Sequence, residues 1–202
     1  MCMKNSYPLE SELVVYNDGK DIHEVLKDIS ALSNNIGGTI YCGMNEKGKI
    51  IGINPTFFLE QLIFHVKSYL NPPLIIENET VLSGHKYLVL LKVENAKRMV
   101  SVKIKDEQSS YYRLAANSLK TSKILQSLIN LEKGIFVPKL DVNEISVSKI
   151  MKLIAKSSGL TLSQIYQQSH LPKQKIDILL PILLYRNQIS VCWANDKFEF
   201  IS

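Results

Sequence analysis

The sequence predicts an α+β protein in which a mixed sheet with helices is followed by a smaller second domain. Along the first part of the chain, the three-four spacing of apolar residues typical of helices alternates with strand-like runs joined by short turns. Near Gly134 and Pro138 the pattern changes, and short helices then dominate. We therefore expect a first domain at residues 1–134, a linker at 135–140 and a second domain at 141–202.

Apolar spacing and turn residues place the elements of the first domain. Asp21 is a suitable N-cap for the first helix, because its side chain can accept a hydrogen bond from a free backbone N–H group. The second helix stops before Pro72, since proline lacks a backbone donor and disfavours helix in the residue before it. The expected elements are helices at 22–33, 58–70 and 121–131 and strands at 39–44, 50–53, 74–81, 86–93 and 99–105.

The second domain carries the pattern of a winged helix-turn-helix. Helices are expected at 147–157, 161–169 and 173–185, with Gly159 and Pro172 between them. Apolar residues then alternate on both sides of an Asn195-Asp196 turn, which predicts a two-stranded wing.

Composition limits the classes of partner and cofactor. The formal charge is +5 and the pI is about 9.0, which favours acidic partners such as nucleic acid. No apolar run is long enough to span a membrane and no secretory signal is evident, so we expect a cytoplasmic protein with no membrane partner. Cys2, Cys42, Cys192 and the histidines lack metal-ligand spacing, and we expect no disulfide, no metal and no cofactor.

The pair Gly37-Gly38 invites comparison with a phosphate-binding loop. It lacks the Lys-Ser/Thr of a P-loop, and it follows a helix and precedes a strand, the reverse of the order in phosphate loops. Conventional ATP binding is therefore disfavoured. The simpler interpretation is that the pair ends the first helix, because glycine readily adopts a positive φ.

The wider context of these glycines is more specific. A stretch with Gly-Gly, a strand and a glycine-punctuated hairpin is followed by a proline-terminated helix and later by an aromatic-Arg pair with a small-residue turn. From about residue 7 to 133 this order resembles the Schlafen AlbA-like domain, which implies a nucleic-acid-binding fold. The matching residues are Ala31, Asn34, Gly37, Gly38, Gly43, Gly48, Gly52, Tyr112, Arg113, Asn117 and Ser118.

Catalytic members of that family resemble metal-dependent ribonucleases with clustered carboxylates. In their acidic motif Glu10, Ser11 and Tyr16 match, whereas Val15 and Asn17 stand where a second acid and a lysine are expected. A further acid is expected near the hairpin, where only Glu46 is available. A hard cation needs several charged oxygens, so the resemblance implies a non-catalytic relative.

Two alternatives for these acids stay open. Another alignment could recruit Glu12 or Asp18 as the missing carboxylate of a nuclease. Glu10 and Glu12 could also be no more than an exposed, charged lead-in to an edge strand.

Basic and aromatic residues in the first domain are candidate contacts for nucleic acid. Tyr112 and Arg113 could stack on a base and clamp a phosphate, or they could pack in the sheet and form a surface ion pair. Basic residues flanking the same sheet could bind phosphates, or they could belong to a solvated face. These residues are Lys97, Arg98, Lys103, Lys105, Lys120 and Lys123.

The third helix of the second domain argues against reading of DNA bases. Asp177 would repel phosphates, and residues 141–202 carry seven basic and five acidic residues, a net charge of only +2. The apolar residues Ile178, Pro181 and Ile182 are expected to be exposed and would suit a protein contact or a homodimer.

Three functions are compatible with the sequence. The leading hypothesis is a non-catalytic nucleic-acid-binding protein that regulates transcription or is associated with it, with DNA favoured over RNA. The second is a Schlafen-like ribonuclease that uses a divalent metal with Glu10 and Glu46. The third is an adaptor that binds proteins of the transcription machinery.

Overall fold

The computed structural model describes residues 7–135 and 144–202, and the expected linker at 135–140 lies outside them except for residue 135. The chain divides into two compact units, Met1–Thr121 and Ser122–Ser202. No helix in the described ranges combines the length and the apolar character that a membrane crossing requires.

The N-terminal unit is a mixture of strands and helices, as the sequence predicts. One sheet has the strand order β1-β2-β5-β4, in which only β1 and β2 are parallel, and a second has the order β3-β6-β7-β8. The elements are β1 (Val14–Asn17), α1 (Ile22–Asn34), β2 (Gly38–Cys42), α2 (Pro55–Tyr69), β3 (Leu70–Asn71), β4 (Glu77–Ser83), β5 (Lys86–Val93), β6 (Ser101–Ile104), β7 (Glu107–Leu114) and β8 (Asn117–Lys120).

Helix α1 lies at the centre of this unit. The Asp21 side chain caps it by accepting a hydrogen bond from the backbone N of His23 at 2.8 Å, as the sequence predicts. Its apolar face buries Val25, Leu26 and Ile29 completely, together with apolar residues from β2, β5 and α2. Burial of this face supplies most of the helix's stability, because isolated helices of this length are marginal in water.

The expected strand at 50–53 does not form. Ile51 and Gly52 both donate their backbone N–H to the carbonyl of Gly43, so they close a compact turn, and only an isolated bridge joins Met44 to Ile50. The next strand also begins later than expected, at Glu77 in β4.

The Gly37-Gly38 pair permits a close approach of backbones. A Cβ atom on Gly38 would lie 2.4 Å from the carbonyl oxygen of Leu13, and one on Gly37 would lie 2.7 Å from that of Val93. Both residues also have positive φ values, 82° and 153°. The pair therefore ends α1 and lets the chain pass between neighbouring strands.

The C-terminal unit contains α3 (Lys123–Glu132), α4 (Glu144–Ala155), β9 (Leu160–Thr161), α5 (Leu162–Gln168), α6 (Lys173–Tyr185), β10 (Ser190–Ala194) and β11 (Lys197–Ile201). Strands β10 and β11 form a hairpin, and β9 adds to its other side. Asn195 and Asp196 both have positive φ in the hairpin turn, which suits its two-residue loop.

Helix α3 belongs to this second unit, although the sequence pattern predicts that it lies in the first domain, at 1–134. Ile124, Leu125 and Leu128 lie in one apolar cluster with buried residues of α4, α5 and α6. The boundary therefore falls before α3, at Ser122. The three-four spacing that predicts this helix does not say which core the helix joins.

Packing of α3 on α6 also changes the exposure of the expected protein-contact residues. Pro181 is buried and Ile182 is only 6% exposed, while Ile178 is partly buried in a groove between α3 and α6. The expectation that these three residues form an exposed apolar patch is therefore wrong. Helix α6 is buried on most of its surface because α3 adds to its packing.

Candidate functional site

Arg113 on β7 is a buried residue that connects several segments of the N-terminal unit. Its side chain is 2% exposed and donates to Ser11 O from Nε at 3.1 Å and to Ser118 Oγ from Nη1 at 3.0 Å. Nη2 donates to Glu10 Oε1 and to Val14 O, each at 3.1 Å. The guanidinium therefore fastens the segment before β1 to the β7–β8 hairpin and presents little of itself to a ligand.

The two tyrosines before Arg113 divide between core and surface, as alternation along a strand predicts. Tyr112 is 9% exposed, so its ring is not a surface for stacking bases. Tyr111 is partly exposed, and the ammonium of Lys27 lies 6.0 Å from the centre of its ring. The structure thus places both Tyr112 and Arg113 in the interior, which corrects the expectation that this pair grips a ligand.

Glu10 and Arg113 lie in the wall of a cleft of about 790 Å³. Its charged lining contains more acids than bases, so it does not favour the entry of a phosphate backbone. The acids are Glu10, Asp18, Asp21, Glu24, Asp28 and Glu46, and the bases are Lys27, Lys47 and Arg113.

Asp28 is the most perturbed acid of this cleft. Its carboxylate accepts a hydrogen bond from Asn17 Nδ2 at 2.7 Å and another from Ser118. Burial raises the pKa of Asp28 to about 6, although these two hydrogen bonds and the charge of Arg113 act in the opposite direction. Asp28 can therefore change its protonation between pH 5 and 7.

The residues of the acidic motif do not fit the metal site of the catalytic relatives. Val15 is 2% exposed and packs in the core, so it offers no ligand at the position of the second acid. Glu10 forms an ion pair with Arg113, and Glu12 accepts a hydrogen bond from the backbone N of Ala115 at 3.3 Å. In residues 7–135 and 144–202, no three Asp, Glu, His or Cys side chains gather as metal ligands would.

Asp18, the other alternative acid, stabilises the turn in which it lies. It accepts from the backbone N of Lys20 at 3.0 Å and forms an ion pair with the same residue at 3.5 Å. Glu46 lines the cleft from the turn after β2. Next to it, Asn45 accepts from the backbone N of Lys47 and of Lys49, so its side chain holds that turn closed.

The basic residues predicted to bind nucleic acid fall into two groups. Lys120 forms an ion pair with Glu107, and Lys123 lies 3.0 Å from Asp177 within the C-terminal unit. The other four are exposed and form no ion pair with any residue that the structure describes. These four are Lys97 and Arg98 between β5 and β6, Lys103 on β6 and Lys105 in the turn after it.

Positive charge is concentrated in the C-terminal unit. Residues 1–121 carry 14 basic and 13 acidic residues, whereas residues 122–202 carry 10 basic and 6 acidic residues. Lys149, Lys152 and Lys156 follow the three-four spacing of one helix face on and just after α4. All three are exposed, and none forms an ion pair in the described part of the chain.

Asp177 on α6 is bonded to neighbours within the C-terminal unit. Its carboxylate accepts hydrogen bonds from Lys123 Nζ and from the hydroxyl of Tyr166, and the ammonium of Lys173 lies 5.5 Å from the centre of that tyrosine ring. Burial, followed by the hydrogen bond to Asp177, raises the pKa of Tyr166 to about 12. The repulsion of phosphates expected from Asp177 is therefore reduced by its ion pair with Lys123.

Two asparagines at the end of α1 have structural roles that the sequence analysis did not assign, although Asn34 is among the residues that match the family pattern. Asn34, which is 1% exposed, donates to Val100 O and Tyr111 O and accepts from Val100 N. Asn35 donates to Arg113 O at 2.7 Å. The sequence feature that could have indicated this role is the pair of adjacent asparagines at the end of a helix. Buried side-chain amides need hydrogen-bond partners, and by bonding to backbone groups they hold neighbouring strands in place.

Comparison with known proteins identifies the family. The sequence model of the Schlafen, AlbA_2 family matches residues 9–122, more than half of the chain, and the chain belongs to this family. The matched region ends where the N-terminal unit ends, next to Thr121. No curated protein matches the chain.

Two solved structures are similar to parts of the chain. The DIP2311 protein from Corynebacterium diphtheriae is 10% identical with a TM-score of 0.47, and the match covers 70% of this chain and 33% of that one. The N-terminal domain of a RecG-related protein from Nitrosomonas europaea is 22% identical with a TM-score of 0.42, with coverages of 54% and 81%. This chain thus spans about a third of the length of the DIP2311 protein.

Proposed function

We propose that this chain is a non-catalytic nucleic-acid-binding protein of the cytoplasm that regulates transcription or is associated with it. The observation that carries the proposal is the Schlafen, AlbA_2 match over residues 9–122, in a chain whose Glu10 is held by Arg113 and whose Val15 is buried. The family supports a nucleic-acid function. The state of these two residues supports binding without cleavage.

The proposed contacts are two groups of exposed basic residues that form no ion pair within the described part of the chain. In the N-terminal unit they are Lys97, Arg98, Lys103 and Lys105, and in the C-terminal unit they are Lys149, Lys152 and Lys156. Each lysine or arginine that neutralises a phosphate releases a counterion, which favours binding at low salt. Such contacts bind the backbone and carry no sequence information of their own.

We propose that the C-terminal unit is a winged helix with α3 added to it. Support comes from the order α4, β9, α5, α6, β10 and β11, in which the β10–β11 hairpin corresponds to the wing and β9 pairs with it. The first turn of α6 carries exposed Lys173 and Gln174, which are residue types that contact DNA. The proposed partner is therefore duplex DNA in preference to RNA.

Binding of labelled duplex DNA and single-stranded RNA across a salt series tests the proposal. If six of the seven proposed residues contact phosphates, the logarithm of the duplex affinity falls with the logarithm of salt concentration with a slope of about −5. Absence of binding at low salt, or binding without a salt dependence, would contradict it.

A further inference from the structure

Strand β4 forms an open edge of the first sheet. It pairs with β5 over its full length of seven residues, through a hairpin closed by Gly84 and His85. No strand in the described part of the chain pairs with its other side. Five of its seven residues are exposed, so this edge is accessible within the N-terminal unit.

The backbone groups on the open edge can be assigned to particular residues. Ile53 donates its N–H to the carbonyl of Tyr87 at 3.0 Å, so this carbonyl points away from β4. Tyr87 stands opposite Leu82, and hydrogen-bonded and non-hydrogen-bonded pairs alternate along an antiparallel ladder. Asn78, Thr80 and Leu82 therefore direct their N–H and C=O groups outward, where no described residue bonds them.

This edge lacks several of the features by which proteins usually prevent strand addition. The strand contains no proline and no lysine, and its register with β5 is unbroken by a bulge. Its only charges, Glu77 and Glu79, lie on residues whose backbone groups bond to β5. An unprotected edge of this length is a template for another strand.

We propose that the occupant is β4 of a second copy of this chain, paired antiparallel about a two-fold axis through Thr80. In this register Thr80 bonds to Thr80 of the second copy, and Asn78 bonds to its Leu82. The three residues with outward groups on one copy thus meet the same three on the other, and every outward donor finds an acceptor. The result is one continuous sheet through both copies.

Charge favours the antiparallel arrangement. Glu77 stands opposite Ser83 of the second copy, and Glu79 stands opposite its Val81, so no like charges face each other directly. The two Glu79 residues are diagonal neighbours about 7 to 8 Å apart, farther than directly opposite residues. Across the strands Glu77 lies between its own cross-strand neighbour Lys92 and, one strand beyond Ser83, Lys86 of the second copy. Parallel pairing in register would instead place each glutamate directly opposite its own copy.

The contact is small, and this sets the expected affinity. A single strand edge, flanked by the exposed side chains of Leu82 and Tyr87, covers less area than a standard interface of about 1,600 Å². We therefore expect a reversible dimer with a dissociation constant on the order of 10 to 100 µM, at the weak end of specific association.

Amide hydrogen exchange of the full wild-type chain, measured by NMR at low and high protein concentration, is the most specific test. The amides of Asn78, Thr80 and Leu82 should exchange at least about tenfold more slowly at high concentration. Those of Glu79 and Val81, which already bond to β5, should change little. No concentration dependence, or slowing only at the alternate residues, overturns the proposal.

Sedimentation analysis of variants at Thr80 provides a second test. Thr80→Pro removes an outward donor without removing a bond to β5, since proline is tolerated where the N–H of an edge strand faces solvent. This variant should be monomeric at concentrations where Thr80→Val, which keeps the donor, remains dimeric. The proposal is contradicted if Thr80→Pro and Thr80→Val both dimerise. It is also contradicted if the wild-type chain stays monomeric at ten times the upper end of the expected range of dissociation constants.

Cross-linking tests the two-fold axis itself and does not depend on the proline variant. In a background with Cys2→Ser and Cys192→Ser, Thr80→Cys places the two thiols across the axis, within reach of a short bismaleimide. The control Glu77→Cys places them about 20 Å apart, since the residues are three positions from the axis on each strand. Efficient cross-linking of Thr80→Cys alone supports the register, and equal or inverted yields overturn it.

Discussion

Nη2 of Arg113 lies 3.1 Å from Oε1 of Glu10, which joins strand β7 to the segment that precedes β1. The arginine is 2% exposed and the glutamate 24% exposed, so the pair is shielded from water on one side. In catalytic relatives the resemblance assigns the glutamate position to a metal site. Here Glu10 instead compensates the charge of a buried arginine, and the pair contributes to the fold.

Replacing Arg113 should destabilise the protein strongly. Arg113→Ala removes four hydrogen bonds and leaves Glu10 without the charge that compensates it, and breaking a buried pair costs about 3 to 5 kcal/mol. Urea unfolding followed by circular dichroism measures the change. The exposed control Arg98→Ala should change stability by less than about 0.5 kcal/mol, and an equally mild effect of Arg113→Ala would contradict the structural role.

The raised pKa of Asp28 predicts a particular dependence of stability on pH. Because the folded-state pKa of about 6 lies above the ordinary 3.8, the folded protein binds the proton more tightly between these values. The contribution of Asp28 to the free energy of unfolding is therefore fully present below pH 4 and is lost as the pH rises through 6. The free energy of unfolding of Asp28→Asn, relative to that of the wild type, should therefore increase by about 1 to 3 kcal/mol as the pH rises from 4 to 7.

The measurement for Asp28 is urea unfolding at a series of pH values, with Glu60→Gln on the exposed side of α2 as the control. The control is measured in parallel, so that the pH dependence of Asp28→Asn is compared with that of a variant lacking an exposed carboxyl. A pH-independent stability difference between Asp28→Asn and the wild type would show that the Asp28 carboxyl titrates alike in the folded and unfolded chains.

Removing two of the proposed phosphate contacts should weaken binding to nucleic acid. Lys103→Ala with Lys105→Ala should lower the magnitude of the duplex salt slope by about 1.8, because each phosphate contact contributes about 0.9. Lys47→Ala with Lys49→Ala is a matched control, since these lysines are also exposed, two positions apart and at a turn. Equal losses for both pairs would show that binding reflects net charge and not the proposed surface.

The assignment of α3 to the C-terminal unit can be tested with an intrinsic probe. Trp193, the only tryptophan, lies on β10 and packs edge-to-face against Phe198 at 4.8 Å between ring centres. Leu125→Ala should therefore lower the urea midpoint of tryptophan fluorescence, with a loss of about 2 to 5 kcal/mol. The exposed α4 control Lys149→Ala should leave it unchanged, and an unchanged midpoint for Leu125→Ala would return α3 to the N-terminal domain.

Local patterns in the sequence predict elements well where apolar periodicity is strong. The strand at 86–93 and the helix at 173–185 form with the predicted bounds, and the cap at Asp21 forms as well. At 50–53 the apolar residues suggest a strand, but Gly43 accepts two backbone bonds and turns the chain away from the ladder. Competition between a turn and a ladder is decided by such specific bonds and not by hydrophobicity.

The candidate site is less predictable because burial depends on contacts distant in sequence. Arg113 is separated by about a hundred residues from Glu10, Ser11 and Val14, and no local pattern indicates that they enclose its side chain. Pro181 lies on the outer side of α6 in a helical projection, yet it is buried where α3 packs against that helix. The residue types in the sequence indicate which side chains could contact a ligand. Tertiary packing then decides which of these side chains are exposed and able to do so.

Binding without cleavage is tested most directly by measuring both in one reaction with labelled nucleic acid, in the presence of EDTA or of Mn²⁺. Duplex DNA and structured RNA are incubated with the full chain and then resolved on native and denaturing gels. A protein that binds nucleic acid without cleaving it gives the same bound fraction in both conditions and intact strands throughout. Cleavage that requires Mn²⁺ and is abolished by Glu10→Ala would contradict the proposed function.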